Sequence, residues 1–182
     1  DKDWDLDQML AWASRAYLPY QSWCAANNKM NEDIYRLADE FAQWLYHKWQ
    51  DIRANSNRIV FNILPNNADR LKSPESINLV LVIDNMWWGL VPIIRNLFQA
   101  HGFFLSKVEP YLSMLPSETE ISKKCLLAGA PTFNDIDNKS YKKIIEKGWV
   151  PYFNDATFQY ISDPGKLDNI GEITGHTYFV NY

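Results

Sequence analysis

The run "INLVLVID" at residues 77–84 limits what this chain can become more than any other stretch. Aliphatic residues fill it almost without a break, and a polar linker containing Pro74 precedes it. A run this short and this apolar reads as a strand buried on both faces, as the strands of a parallel sheet are. Helical periodicity follows over 89–100, where Leu90, Ile93, Ile94, Leu97 and Phe98 fall on one face. Pro92 suits the first turn of such a helix, and Gly102 suits its end.

The same alternation continues downstream. "FFLSKVEPYLSML" reads as a second strand region, and "SETEISKKCLLAG" as a short helix from Ser117 to a stop at Gly129. "SYKKIIEKGW" reads as another helix, closed by Gly148, and "TFQYIS" and "HTYFVNY" as further strands. Strands alternating with helices predict an α/β fold: a parallel sheet flanked by helices.

Upstream the pattern is helical. An apolar stripe of Trp4, Leu6, Leu10, Ala13 and Tyr17 predicts a helix over 3–17, stopped by Pro19. A longer helix is predicted over 31–54. Asn31 is a suitable N-cap, Glu32 and Asp33 complement the dipole, and Ile34, Leu37, Ala38, Phe41, Leu45, Trp49 and Ile52 form its stripe. "RIVFNILP" at 58–65 reads as a short strand. With the polar linker at 66–76, these readings predict a helical N-terminal region at 1–70 and an α/β region at 71–182.

With 47% hydrophobic and 22% charged residues, the 182-residue chain has a globular composition sufficient for one domain with a helical extension. Eight tryptophans require a large core or partner surfaces to cover them. The net charge of -4 argues against tight non-specific nucleic-acid binding. Lys123–Lys124 and Lys142–Lys143 read as solvated helix faces. Cys24 and Cys125 have no metal-ligand spacing and read as reduced thiols of a cytoplasmic protein. No apolar run is long enough to span a bilayer. The chain starts without Met in helical sequence and stops on an apolar strand, so an excised fragment of a longer protein is expected.

Two places carry candidate chemistry. Asp84 stands at the carboxyl end of the most apolar strand, where open parallel sheets keep their functional crevice. A carboxylate there needs a cation, a metal or several hydrogen bonds. It reads either as a turn-forming residue or as a ligand for a catalytic divalent metal. A P-loop magnesium acid is set aside, because the chain has no "GxxxxGK[ST]" loop. The second place is "LPSETE" at 115–120. Ser117 and Glu120 have capping-box spacing, and Thr119 falls in the first helical turn among free N–H groups. It reads either as a bystander to ordinary capping or as a nucleophile whose alkoxide the helix dipole stabilises.

Taken together, "LVLVIDNMWW" and "SMLPSETEISKKCLLAG" resemble the PglZ domain of the alkaline phosphatase superfamily, whose strand reads like "VVDxLR" and whose loop reads like "LPTxT". The resemblance covers residues 77 to about 132 and continues loosely to the end. It implies a partial alkaline-phosphatase-like sheet, with Asp84 as a ligand of one of two divalent metals, most simply zinc. Thr119 would be the nucleophile or metal-bridging hydroxyl, and the reaction hydrolysis of phosphate esters, phosphodiesters among them. It also implies protein partners in BREX-type phage defence or two-component regulation, with nucleic acid or nucleotide as possible substrates. Two departures stand out: Trp87 occupies the place of the arginine, and Ser117 that of the first loop threonine. His47 and His101 read as structural or solvated, and His176 as a weak metal-ligand candidate. The competing reading is a catalytically degenerate domain that docks a protein partner.

Overall fold

A computed structural model describes residues 3–71, 78–84, 86–104, 107–115, 118–131, 140–149, 158–161 and 177–181. The chain divides into two compact units, each discontinuous in sequence: Asp1–Ser56 with Met86–Tyr111, and Asn57–Asn85 with Leu112–Tyr182.

The first unit is helical. Helix α1 (Leu6–Trp12) opens with a capping box. The Asp5 carboxylate accepts from the Gln8 N–H at 2.8 Å, and the Gln8 side chain accepts from the Asp5 N–H at 3.0 Å. Pro19 does not end the helical run, contrary to expectation. A π-helical turn, Ala13–Tyr17, intervenes, and α2 (Leu18–Ala26) then starts with the proline in its first turn. The proline thus falls where the π turn hands over to α2, and the Leu18 N–H reaches back to the Ala13 carbonyl in the wider register.

Helix α3 (Glu32–Asn55) follows the sequence closely. The Asn31 side chain accepts from the Ile34 N–H at 3.2 Å, and Ile34, Trp44, Trp49 and Ile52 are buried along one stripe. On the outer face Arg36 bridges Asp33 and Glu40, an exposed pair set that adds little to stability. Several tryptophans find their cover in one another's company. Trp4 meets Trp12 edge-on at 6.3 Å between ring centres, Trp12 meets Phe41 at 6.4 Å, and Phe41 stacks on Trp44 at 6.2 Å. These rings wall a cleft of about 740 Å³ between α1 and α3. Helix α5 (Val91–Ala100) has Pro92 in its first turn, after a 3₁₀ turn at Trp88–Leu90.

The second unit holds a three-stranded parallel sheet in the order β1-β3-β2. Its strands are β1 (Asn78–Val82), β2 (Phe158–Ile161) and β3 (Thr177–Asn181). Asn78 of β1 and Phe158 of β2 both register on Thr177 of the central strand. The core gathers Leu64, Leu71, Leu127, Ile144 and Ile145, with Val80, Val82 and Tyr160 packed against it. Helices α4 (Ala68–Leu71), α6 (Thr119–Ala128) and α7 (Tyr141–Trp149) supply most of these residues. Strand β1 is therefore not buried on both faces as its composition predicts. Val80 and Val82 turn to the core, while Leu79 and Leu81 are 60% and 42% exposed.

Neither of the two additional strand readings is realised. At 58–65 only Ile59 pairs, forming a bridge with Leu112. The Val60 N–H donates to the Leu112 carbonyl at 2.8 Å, and the Leu112 N–H donates to that of Arg58 at 2.9 Å. The chain then coils into 3₁₀ turns at Val60–Asn62 and Pro65–Asn67. In 103–115 the same bridge is the extent of strand pairing among the described residues. Pro110, which has no N–H to give a ladder, stands two residues before Leu112.

Two glycines shape the helix pair. Gly129 caps α6 in the left-handed region at φ 60°, as expected. Gly148 does not close α7 but lies within it, where a Cβ would stand 2.9 Å from Ala128 Cα and closer still to its carbonyl oxygen. Its role is close helix approach rather than termination.

Candidate functional site

Asp84 follows β1 by two residues and sits in a turn with its side chain 38% exposed. It faces an ammonium. Lys123 Nζ lies 3.8 Å from Asp84 Oδ2 and 5.4 Å from the centre of the Tyr141 ring. The Lys123 side chain is only 11% exposed, and its ammonium stands between that carboxylate and the ring face. Lys124, similarly buried, pairs along the helix with Glu120 at 2.7 Å. The reading of Lys123–Lys124 as a solvated face is thus corrected: each lysine side chain is mostly buried and pairs with a separate acid, Asp84 and the exposed Glu120. Lys142 and Lys143 are exposed, as read.

Thr119 is the first residue of α6, exposed, one turn before Lys123. The N-cap residue is Glu118, in extended conformation, and its side chain caps nothing. Ser117, the expected N-cap, lies outside the described residues. With Glu118 as N-cap, Glu120 is the second helical residue and not in the capping-box position, and its carboxylate pairs with Lys124. The Lys124 hydrogen bond and charge hold the Glu120 carboxyl below its usual range. Tyr141 is pushed above 10.0, first by burial and then by the negative charges of Glu120 and Asp84, with Lys124 opposing. The hydroxyl of Ser122 anchors the start of α6 by accepting from the Met114 N–H at 3.2 Å.

One corner at the carboxyl end of β1 therefore gathers a carboxylate, an ammonium and a phenol, next to a helix that begins with a threonine hydroxyl. Asp84 and Thr119 are legible in sequence; Lys123 reads there as part of a solvated face, and Tyr141 carries no signal. The signal for Lys123 was its spacing four residues after Thr119, which places both on one helix face. This donor set does not suit a metal by itself. Among the described residues no three His, Cys, Asp or Glu side chains come together, and the cation at Asp84 is an ammonium.

The remaining candidates lie elsewhere or outside the described residues. His47 is on α3 with its ring against Tyr46, and His101 caps the end of α5. His176 lies outside the described residues. Cys24 and Cys125 are free and buried. Trp87 belongs to the first unit, and its ring lies over Gly89, where a Cβ would meet it at 2.8 Å. No helix among the described residues is long and apolar enough to cross a membrane. Comparison with protein-family models, curated proteins and solved structures gave no match.

Proposed function

We propose that this chain carries part of a PglZ-type, alkaline-phosphatase-like hydrolase of phosphate esters, phosphodiesters foremost, working in the cytoplasm. The observation that supports this reading is the Lys123 bridge, which links Asp84 at the end of β1 to the helix that opens with Thr119. In this reading the first turn of α6, which the Glu118 side chain does not cap, and the Lys123 ammonium receive the phosphate oxygens. The Thr119 hydroxyl attacks phosphorus, its proton passing to the ester oxygen that departs as the alcohol, and water later cleaves the Thr119–phosphate bond and restores the hydroxyl. Zinc or another divalent ion is the cofactor that the resemblance implies. The described residues do not complete a site for it, so no step is assigned to it.

Release of nitrophenol from a bis(nitrophenyl) phosphodiester, with and without added zinc, tests the reading. Thr119→Ala should lower turnover at least about a hundredfold. Full activity of that variant would sink the nucleophile assignment.

A second reading is favoured by the same ion pair: a degenerate domain that docks a protein partner in a phage-defence or regulatory complex. Asp84 already neutralised by Lys123 is what a retired metal site would leave behind. A folded chain with no turnover under any metal condition would support it.

A further inference from the structure

We infer that Lys123 is the resident cation of the Asp84 corner, an ammonium standing where a metal-dependent hydrolase would keep a divalent ion. The inference rests on the reading of this corner as the working site, but its test does not depend on turnover. Three observations carry it. Lys123 Nζ lies 3.8 Å from Asp84 Oδ2, within ion-pair range, and Tyr141 presents its ring face to the same ammonium at 5.4 Å. Burial is unequal: the lysine side chain is 11% exposed and the aspartate 38%, so the cation is the member more dependent on the pair. The neighbouring Lys124 is matched to Glu120, so each inward lysine of α6 faces an acid of its own.

A divalent ion arriving at Asp84 would therefore meet a fixed positive charge already sharing the carboxylate. It would have to displace a lysine whose side chain is mostly buried. Among the described residues no group of three His, Cys, Asp or Glu side chains forms to compensate for that displacement. The inference concerns how the corner is neutralised, and it holds whether or not Thr119 is a nucleophile.

Two measurements on the full 182-residue chain test it. In calorimetric zinc titrations, wild type and Asp84→Asn should give the same isotherm, because no zinc depends on Asp84. In thermal unfolding, Asp84→Asn and Lys123→Met should each lower the midpoint by about 2–4 °C, with the aspartate change the larger. The double variant should unfold well above the sum of the two losses, since it leaves neither charge stranded. Lys123→Arg, which keeps a cation, should stay near wild type. A stoichiometric zinc site lost in Asp84→Asn would overturn the inference, as would strictly additive midpoints. Loss of the hydrolase reading, through an unaffected Thr119→Ala, would leave both of these results standing.

Discussion

Asp84, Lys123 and Tyr141 meet at one end of a small sheet, partly shielded from water. The phenol shows this most directly. Its pKa is held above 10.0 in the folded chain by burial and by the carboxylates of Glu120 and Asp84. Below the ordinary value the folded and unfolded chains both carry the phenolic proton. As pH rises past about 10, the unfolded chain releases it first, so stability falls until the folded value is passed. Tyr141→Phe should flatten that decline, measured as urea midpoints between roughly pH 9 and 11. A decline as steep as in wild type would show that Tyr141 has no part in it. Asp84 was readable because an apolar run that ends in an acid demands an account of the charge. Lys123 was not readable, because a lysine pair on a helix looks the same in sequence whether it faces water or a neighbouring carboxylate. Only packing decides which way it turns.

Where the local signals agreed, whole elements could be anticipated. Asn31, two acids and a regular apolar stripe all define α3, and the structure keeps each of them in its expected part. Asn31→Ala should cost about 1 kcal/mol in chemical denaturation, the usual value of a lost cap. A change within error would mean the capping bond contributes nothing. Pro19 was misleading because its effect depends on the turn before it, and a π turn is not legible in residue types. Gly148 was misleading for a different reason. A glycine near a helix end reads as a stop, but here it lets α7 pass close to the Ala128 backbone. Gly148→Ala should therefore destabilise the chain by about 1–3 kcal/mol, the range of overpacking. A neutral or stabilising effect would show that the helices can part without loss. Residues 58–65 have the composition of a strand but find one bridging partner, and strands form through pairing rather than composition.

At the scale of the molecule, sequence order and spatial grouping disagree. The chain passes between its two units at 56/57, 85/86 and 111/112, so the stretch that holds both Asp84 and Trp87 is divided between them. A linear reading cannot reveal that, because the crossings carry no common composition. The grouping makes its own prediction. Ile145 is fully buried in the core of the second unit, and Ile145→Ala should cost about 2–5 kcal/mol. Amide exchange should then quicken within 57–85 and 112–182 while 1–56 and 86–111 keep their protection. Equal acceleration everywhere would mean the two units unfold as one. The sheet carries a last consequence, in the order in which a ribosome delivers it. Its central strand, β3, is made after both of its neighbours, and among the described residues β1 and β2 pair only with it. Until residue 181 has emerged, two parallel edges therefore wait without a partner, exposed to whatever nascent chain or chaperone reaches them first.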